Sequence, residues 1–354
     1  MRTLEMCAGA GGQALGLHLA GAQHTALIEL DPYACETLRQ NNARLGLGWG
    51  PVLEEDLRHF ARNKARAYRG RVDLVAAGVP CPPFSKAGRQ LGNDDDRDLF
   101  PAALEIVNQV SPEAVLLENV PGLLESKFDA YRESILERLK DMGFHGSWQL
   151  LQASDFGVPQ LRPRAVLVAV NDRLKEYFQW PEPRLEPAPT VGESLYDLMA
   201  SKGWTQAREW AARANNIAPT LVGGSHKHGG PDLGPTRAKR QWQKLGVYAH
   251  RLGAEHEIPD SAFQGVMRRD GTIKAGFENM PLLTIRMAAR IQGFPDYWRF
   301  SGSKTHAYRQ IGNAFPPPVS EAVGRQISLA LEAANVADTT PPPEEPHPTR
   351  IACA

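Results

Sequence analysis

Short apolar runs alternate with amphipathic segments through the first half of the chain. The runs at 3–7, 25–30, 71–77, 113–117 and 165–170 are too short for buried helices and are typical of strands buried on both faces. Helix-starting and helix-ending residues lie between these runs. This alternation predicts an α/β fold built on a mostly parallel sheet.

The pattern changes beyond residue 171. Residues 181–281 are rich in proline, glycine, tryptophan and basic side chains and show little periodicity, which indicates a second, smaller domain. Helical patterns return near 283–293 and after Pro318. We therefore divide the chain into a first domain at 1–180, a second at 181–281, a return to the first at 282–335 and a proline-rich tail at 336–354, which we expect to be disordered.

Composition excludes several classes of protein. The 354 residues carry 40 Lys and Arg against 40 Asp and Glu, so nucleic-acid binding would require a local basic cleft. No apolar run approaches the roughly 18 residues of a membrane span, and the amino terminus lacks the apolar core of a signal peptide, so we expect a cytoplasmic protein without membrane contact. The four cysteines form no CxxC pair, which argues against a disulfide framework and against a metal site.

A glycine-rich turn follows the first expected strand and lets the backbone approach a ligand. Glu29 lies about 20 residues further on, where a carboxylate can take the ribose hydroxyls of a nucleoside. Asp56 follows a third short strand, and either holds an adenine amino group or caps the helix that begins at Leu57. Because Gly9-x-Gly11-x-x-Ala14 also fits the dinucleotide fingerprint, NAD and S-adenosylmethionine both remain open.

Three further polar positions are candidates for chemistry. Cys81 follows the strand at 71–77 on an irregular turn, at the sheet edge where ligands bind, although most free cysteines are simply small buried hydrophobic residues. Glu118 ends another apolar strand, where a buried acid needs a cation or a function. Arg162 and Arg164 alternate at the entry to the last strand and are expected to point the same way, as an anion or carboxylate clamp.

Taken in order, these segments resemble the DNA cytosine-5 methyltransferase family. The resemblance covers nearly the whole chain except 181–281 and the tail, and it rests on the ordered set of motifs because each motif alone is weak. The set comprises Ala8-Gly9-Ala10-Gly11-Gly12, Pro80-Cys81, Glu118-Asn119-Val120, Gln160-x-Arg162-x-Arg164, Arg286-x-x-x-Arg290-x-Gln292-Gly293-Phe294-Pro295 and Gly312-Asn313-Ala314-Phe315-Pro316. It implies a Rossmann-like, S-adenosylmethionine-dependent methyltransferase sheet with a smaller target-recognition domain.

The resemblance also implies a reaction, the methylation of cytosine at C5 through a covalent adduct. Cys81 would add to C6 as a thiolate, because C5 is otherwise a poor nucleophile. Glu118 would bond the base at N3 and its amino group, Arg164 would hold its O2, and Arg162 would support Arg164. The base must leave the duplex stack for this chemistry, at a cost of roughly a few kcal/mol.

The implied cofactor is S-adenosylmethionine, and the implied partner is double-stranded DNA. The turn from Ala8 to Gly12 would take the amino-acid end of the cofactor and Glu29 its ribose. Leu30, Asp56, Leu57, Pro80, Asn313 and Ala314 would complete the cofactor pocket. DNA contacts are expected at Ser85, Arg97, Ser225, Lys227, Arg237, Arg240 and Arg268. We expect a monomer, either with a restriction endonuclease that acts on the same sequence or without one.

Two positions depart from the family pattern. Cys7 stands where the family usually has an aromatic residue, which thins one side of the adenine pocket. Pro82 stands where the family usually has glutamine, so another side chain would have to fill the gap left by the flipped base.

Three alternatives remain at the level of sequence. A tRNA cytosine-5 methyltransferase would use the same chemistry, and a region of about 100 residues between Arg164 and Arg286 favours DNA over RNA. A DNA-binding relative without turnover would not need an intact Cys81. An NAD-dependent oxidoreductase would leave Pro80-Cys81 and the two arginines unexplained.

Overall fold

The computed structural model describes residues 1–80, 98–223, 232–268 and 270–339. The sequence-based expectations for Cys81, Ser85, Arg97, Ser225 and Lys227 lie outside the described residues. No helix in the described ranges combines the length and the apolar character that a membrane crossing requires.

Strands and helices alternate through the first half of the chain, as the apolar pattern predicts. The strands are β1 (Arg2–Met6), β2 (Gln23–Glu29), β3 (Val52–Glu54), β4 (Leu74–Gly78), β5 (Ala114–Asn119), β6 (Phe144–Gln152), β7 (Gln160–Leu161), β8 (Pro163–Asn171), β9 (Ala218–Pro219), β10 (Gly265–Met267) and β11 (Ile273–Glu278). The helices are α1 (Gly12–Leu19), α2 (Pro32–Leu45), α3 (Leu57–Asn63), α4 (Phe100–Val110), α5 (Asp129–Asp141), α6 (Val191–Ala200), α7 (Ala207–Arg213), α8 (Thr236–Lys244), α9 (Ile285–Ile291), α10 (Lys304–Asn313) and α11 (Pro317–Thr339).

Seven strands form the central sheet in the order β3-β2-β1-β4-β5-β8-β6. The first five are parallel, whereas β8 runs antiparallel to both β5 and β6. The predicted α/β, Rossmann-like fold class is confirmed. The carboxyl ends of β1, β2, β4 and β5 therefore meet at one edge, where open α/β sheets bind ligands.

Both faces of the sheet are covered, which explains why its strands read as continuous apolar runs. Leu4 and Met6 of β1 face the cluster that contains Phe60 of α3 and Ile106 of α4. Residues of the opposite face pack against α1 and α11, for example Ala76 beside Leu17 and Val323.

Helix α11 brings the end of the chain back onto the first helix. A Cβ at Gly16 would lie 2.3 Å from the carbonyl oxygen of Pro317, and a Cβ at Gly324 would lie 2.9 Å from the side chain of Leu17. These glycines let the two helix backbones approach closely. The expected disorder from residue 336 is wrong for its first four residues, because α11 continues to Thr339 with Ala334 still buried.

Residues 181–281 contribute α6, α7, α8 and the β10–β11 hairpin, and they share a core with the rest of the molecule. Buried Trp210 and Trp242 belong to the same cluster as Leu15 of α1 and Met287 of α9. The division of the chain into domains stays a prediction.

A buried acid and a buried imidazole face each other beneath α1. Nε2 of His24 lies 2.9 Å from the carbonyl oxygen of Ala14, so it carries the proton and donates. Its Nδ1 is then an acceptor and lies 3.7 Å from Oε2 of Glu5. Burial raises the pKa of Glu5 well above its usual value and lowers that of His24 to about 4. Burial therefore favours the neutral form of both groups in the folded protein.

We predict opposite pH dependences for variants of these two groups. Between about pH 4.5 and 6.5, unfolding moves a proton from Glu5 to His24, so the two contributions cancel in the wild type. In Glu5→Gln, only His24 remains, and stability relative to the wild type should fall by about 1.4 kcal/mol per pH step as the pH decreases. In His24→Gln, stability should instead fall by a similar amount as the pH increases.

Urea denaturation across this pH range measures both slopes. His256→Gln, at an exposed histidine, serves as the control and should match the wild type. Parallel curves for all four proteins would contradict the assigned protonation states.

Candidate active site

A cavity of about 940 Å³ opens at the carboxyl edge of the sheet. Its walls include the turn after β1 and the ends of β2, β4 and β5. They also include the start of β8, the segment at 220–223 and the carboxyl-terminal half of α10. The volume lies at the upper end of the roughly 300–1,000 Å³ range of small-molecule sites. The cavity is therefore large enough for a nucleoside-sized ligand with a second group beside it.

The glycine turn forms one wall because its backbone adopts conformations that other residues avoid. Gly9 and Gly11 have positive φ angles of 53° and 84°, and no atom lies within 4 Å of the position that a Cβ on Gly9 would occupy. A Cβ on Gly12 would lie 2.3 Å from the carbonyl oxygen of Phe315 and 3.0 Å from Ala314. The last motif of the sequence thus packs directly against the first.

Glu29 is fixed at the end of β2 by three backbone N–H groups. Its Oε2 accepts from Gly9, at 2.7 Å, and its Oε1 accepts from Leu30 and Asp31, each at 2.8 Å. Burial raises the pKa of this carboxyl group, and the N–H donors oppose that rise. A carboxylate held in this way can accept hydrogen bonds from the hydroxyl groups of a ribose without a change in its own orientation.

Asp56 has the helix-capping role that was one of the two interpretations made from the sequence. Its Oδ1 accepts from the N–H groups of Arg58 and His59, so it caps α3. Asp56 and Leu57 also line the cavity, near Glu29 and Leu30. Leu30 remains 62% exposed and offers an open apolar surface at this end.

Glu118 and Arg164 form a buried ion pair at the other end of the cavity. Because β8 runs antiparallel to β5, Ala165 pairs with Asn119, and the start of β8 lies beside the end of β5. Nε of Arg164 lies 2.7 Å from Oε1 of Glu118, and each side chain is about nine-tenths buried. Burial raises the pKa of Glu118, while the positive charges of Arg164 and Arg162 lower it.

Arg162 has a different role from the one that alternation on a strand predicted. Its guanidinium donates to the carbonyl oxygens of Leu221 and Gly312, each at 2.7 Å, and of Ala314 at 3.0 Å. The prediction of a joint anion clamp is therefore wrong for Arg162, which precedes β8 and turns towards backbone carbonyls. Only Arg164 contacts the carboxylate of Glu118.

Cys7 lines the cavity near Glu29 and Asp56. Burial raises the pKa of its thiol above the usual range, and the nearby charges of Glu29 and Asp56 add to the effect. Because the thiolate is the reactive form, this environment opposes nucleophilic chemistry at Cys7. Pro80, which precedes Cys81 in the chain, also lines the cavity, as do Asn313 and Ala314.

Sequence reasoning missed several residues that line the cavity. Gln13 follows the glycine turn, where a polar side chain among apolar helix residues was an available signal. Thr220 lies in a region without periodicity and gave no signal. His306 stacks on Tyr33, with ring centroids 3.9 Å apart, and this contact joins segments that are 273 residues apart in sequence.

The described candidates for DNA contact are exposed basic residues within 181–281. Arg237 and Arg240 lie on α8 with Lys244, at spacings that place all three on one face of the helix. Arg268 is exposed beside the β10–β11 hairpin. These positions form outward-facing basic surfaces.

Comparison with known proteins shows the family of the chain. The family model described as C-5 cytosine-specific DNA methylase matches residues 1–329. The chain belongs to the C-5 cytosine-specific DNA methylase family. The family, the enzyme class and DNA cytosine-5 methylation, each predicted from the sequence, are thereby confirmed.

Two relatives resemble the methyltransferase along most of its length. Type II methyltransferase M.NaeI from Lentzea aerocolonigenes is 53% identical over 332 residues, which cover 94% of this chain and 75% of that protein. Type II methyltransferase M.NgoMIV from Neisseria gonorrhoeae is 50% identical over 333 residues, which cover 94% and 99% of the two chains.

Solved structures share the fold at much lower identity. A methyltransferase from Entamoeba histolytica, EhMeth, superposes with a TM-score of 0.61 at 14% identity and covers 92% of this chain and 97% of its own. A DNMT2 variant from Spodoptera frugiperda superposes with a TM-score of 0.60 at 17% identity and covers 92% of this chain and 99% of its own. The methyltransferase fold is therefore retained where most of the sequence has diverged.

We predict that Arg162→Lys lowers the free energy of unfolding by about 2–4 kcal/mol. A lysine ammonium cannot reach three carbonyl groups in the geometry of a guanidinium, so buried acceptors lose their donors. Urea denaturation measures the loss. Arg173→Lys is the matched control, because Arg173 pairs with Glu113 and Asp338 on the surface. This substitution should lower the free energy of unfolding by less than about 1 kcal/mol. Equal small losses in both variants would contradict the bracing role of Arg162.

Proposed function

We propose that this methyltransferase binds S-adenosylmethionine and a flipped cytosine side by side in the cavity and methylates C5 through a covalent Cys81 adduct. The observation that carries the proposal is one cavity with two different ends. The glycine turn and Glu29 form a nucleoside site at one end, and the buried Glu118–Arg164 pair forms a polar site at the other.

The residues present fit S-adenosylmethionine. Glu29 suits the ribose hydroxyls, the exposed surface of Leu30 suits an adenine face, and Asp56 suits the adenine amino group. The open backbone at Gly9 suits a ligand that approaches closely. When bound, this cofactor supplies an electrophilic methyl group.

At the base end, the chain supplies a nucleophile, an acid and a cation. The thiolate of Cys81 adds to C6, so that C5 gains the electron density needed to accept the methyl group. The pair of Glu118 and Arg164 holds N3, the amino group and O2, and offsets the charge that develops on the ring. A base then removes the C5 proton, the electrons of that bond form the C5–C6 double bond, and the C6–S bond breaks to release Cys81 as a thiolate.

The raised pKa of Glu118 suits this role. A buried carboxyl group that retains or readily accepts a proton can share it with N3 as the adduct forms. Arg164, fixed at 2.7 Å, keeps the carboxyl group oriented throughout. Pro80, the residue before Cys81 in the chain, lines the cavity, and this supports Cys81 as the nucleophile.

We predict that Cys81→Ala abolishes methyl transfer and adduct formation but retains DNA binding. The test measures labelled methyl transfer from S-adenosylmethionine to duplex DNA and, in parallel, to bulk tRNA. Duplex DNA that contains 5-fluorocytosine traps the adduct, because fluorine cannot leave as a proton does. Cys35→Ala is the matched control, since Cys35 is buried on α2 and is not itself among the residues that line the cavity, and this variant should form the adduct.

Each outcome separates the alternatives. Wild-type turnover in Cys81→Ala would overturn the nucleophile assignment. Label on tRNA alone would keep the chemistry and change the substrate. Cofactor binding without label on either nucleic acid would support a binding protein without turnover.

We further propose that residues 181–281 read a short duplex sequence through arginine and other polar side chains in the major groove. The exposed basic face of α8 supports this proposal, since Arg237, Arg240 and Lys244 have no ion-pair partner among the described residues. Methylation of random-sequence DNA, followed by mapping of the marks, should yield one short consensus. Marks scattered without a consensus would contradict sequence recognition.

The names of the two relatives support a place in a restriction-modification system. We propose either a cognate restriction endonuclease that shares the recognition sequence or a methyltransferase that acts without one. A DNA substrate favours a cytoplasmic location, and a single chain that holds both ends of the cavity favours a monomer.

A further inference from the structure

Gln13 has a side-chain amide that the fold itself does not use. It lies in the first turn of α1, is only 4% exposed and lines the cavity. Its Nε2 has no hydrogen-bond partner among the residues that the structure describes. Its backbone carbonyl, by contrast, accepts from Oγ of Ser320 at 2.9 Å, which fixes the residue in place. Buried donors without partners are uncommon, so this amide needs an explanation.

Gln13 follows the glycine turn in the chain, and its side-chain amide lies near Glu118. A Cβ on Gly78 would lie 3.9 Å from Oε1 of Gln13 and 3.5 Å from Oε2 of Glu118. Gly78 has no positive φ angle, so conformational strain does not require glycine there. Glycine at this position leaves open the space between Gln13 and the base-binding carboxylate.

The same place favours negative charge on a ligand. The first intrahelical hydrogen bond of α1 runs from the N–H of Leu15 to the carbonyl of Gly11, so the helix begins at the cavity wall. The N–H groups of a first helical turn and the helix dipole both attract anions. An uncharged donor such as the Nε2 of Gln13 complements an acceptor-only carboxylate without adding charge beside a cationic sulfonium.

We propose that Nε2 of Gln13, together with the N-terminus of α1, binds the α-carboxylate of the cofactor's amino-acid moiety. This inference rests on the proposed use of S-adenosylmethionine. The contact anchors the amino-acid arm on the side of the sulfonium away from the ribose. Gln13 thereby helps to fix the distance between the methyl group and the base held by Glu118.

Two ligands that differ in the amino-acid moiety test the proposal by calorimetry on the full chain. S-adenosylhomocysteine carries the α-carboxylate, and 5′-methylthioadenosine lacks the amino-acid part. Gln13→Leu should lower the affinity for S-adenosylhomocysteine by about 10- to 100-fold, as expected for a lost hydrogen bond to a charged group. It should change the affinity for 5′-methylthioadenosine less than twofold, and that retained binding also reports correct folding.

Gln13→Glu and Glu29→Gln complete the design. Gln13→Glu places a negative charge beside the α-carboxylate and should lower the affinity for S-adenosylhomocysteine further. The affinity for 5′-methylthioadenosine should again be retained. Glu29→Gln should lower the affinity for both ligands, because both contain the ribose. Equal losses for both ligands in Gln13→Leu, or no loss for either, would overturn the inference. Failure of the wild type to bind either ligand would instead overturn the proposed cofactor.

Discussion

The guanidinium of Arg162 binds two stretches of backbone that are distant from it in sequence. Its donors reach the carbonyl of Leu221 and those of Gly312 and Ala314, so a residue beside the central sheet holds both the segment at 220–223 and the returning carboxyl-terminal segment. Gln160 adds to this bracing through bonds to Gln292 and to the N–H of Leu221. Because the cavity is enclosed by these stretches, its shape depends on this buried polar junction.

The reversal of one strand then determines the chemistry at the base end. A parallel β8 would place its first residues at the opposite edge of the sheet from Glu118. The antiparallel pairing instead places Arg164 beside the carboxylate, out of water, where the ion pair is stronger and is oriented before a substrate arrives. Desolvation raises the pKa of Glu118, and the charges of the two arginines lower it.

Much of the fold was predictable because local sequence and fold agree. The apolar runs indicated buried strands, and Asp31 with Pro32 indicated the start of α2, which the structure confirms. The conformational freedom of Gly9 and Gly11, together with the carboxylate of Glu29, indicated a nucleoside-binding site. The divergent role of Arg162 and the contribution of Thr220 and His306 were not predictable, since each depends on a contact between segments far apart in the chain.

The sequence by itself determined which residues can take part: a glycine turn, a carboxylate about 20 residues later, a thiol beyond β4 and two alternating arginines. These features are local, because turn geometry, strand burial and side-chain chemistry depend on near neighbours. Only the tertiary structure decided that Arg164 meets Glu118 while Arg162 braces the backbone, and that Nε2 of Gln13 finds no partner in the part of the chain that the structure describes. Those outcomes depend on strand direction and on helix contacts across about 300 residues, which no local pattern encodes.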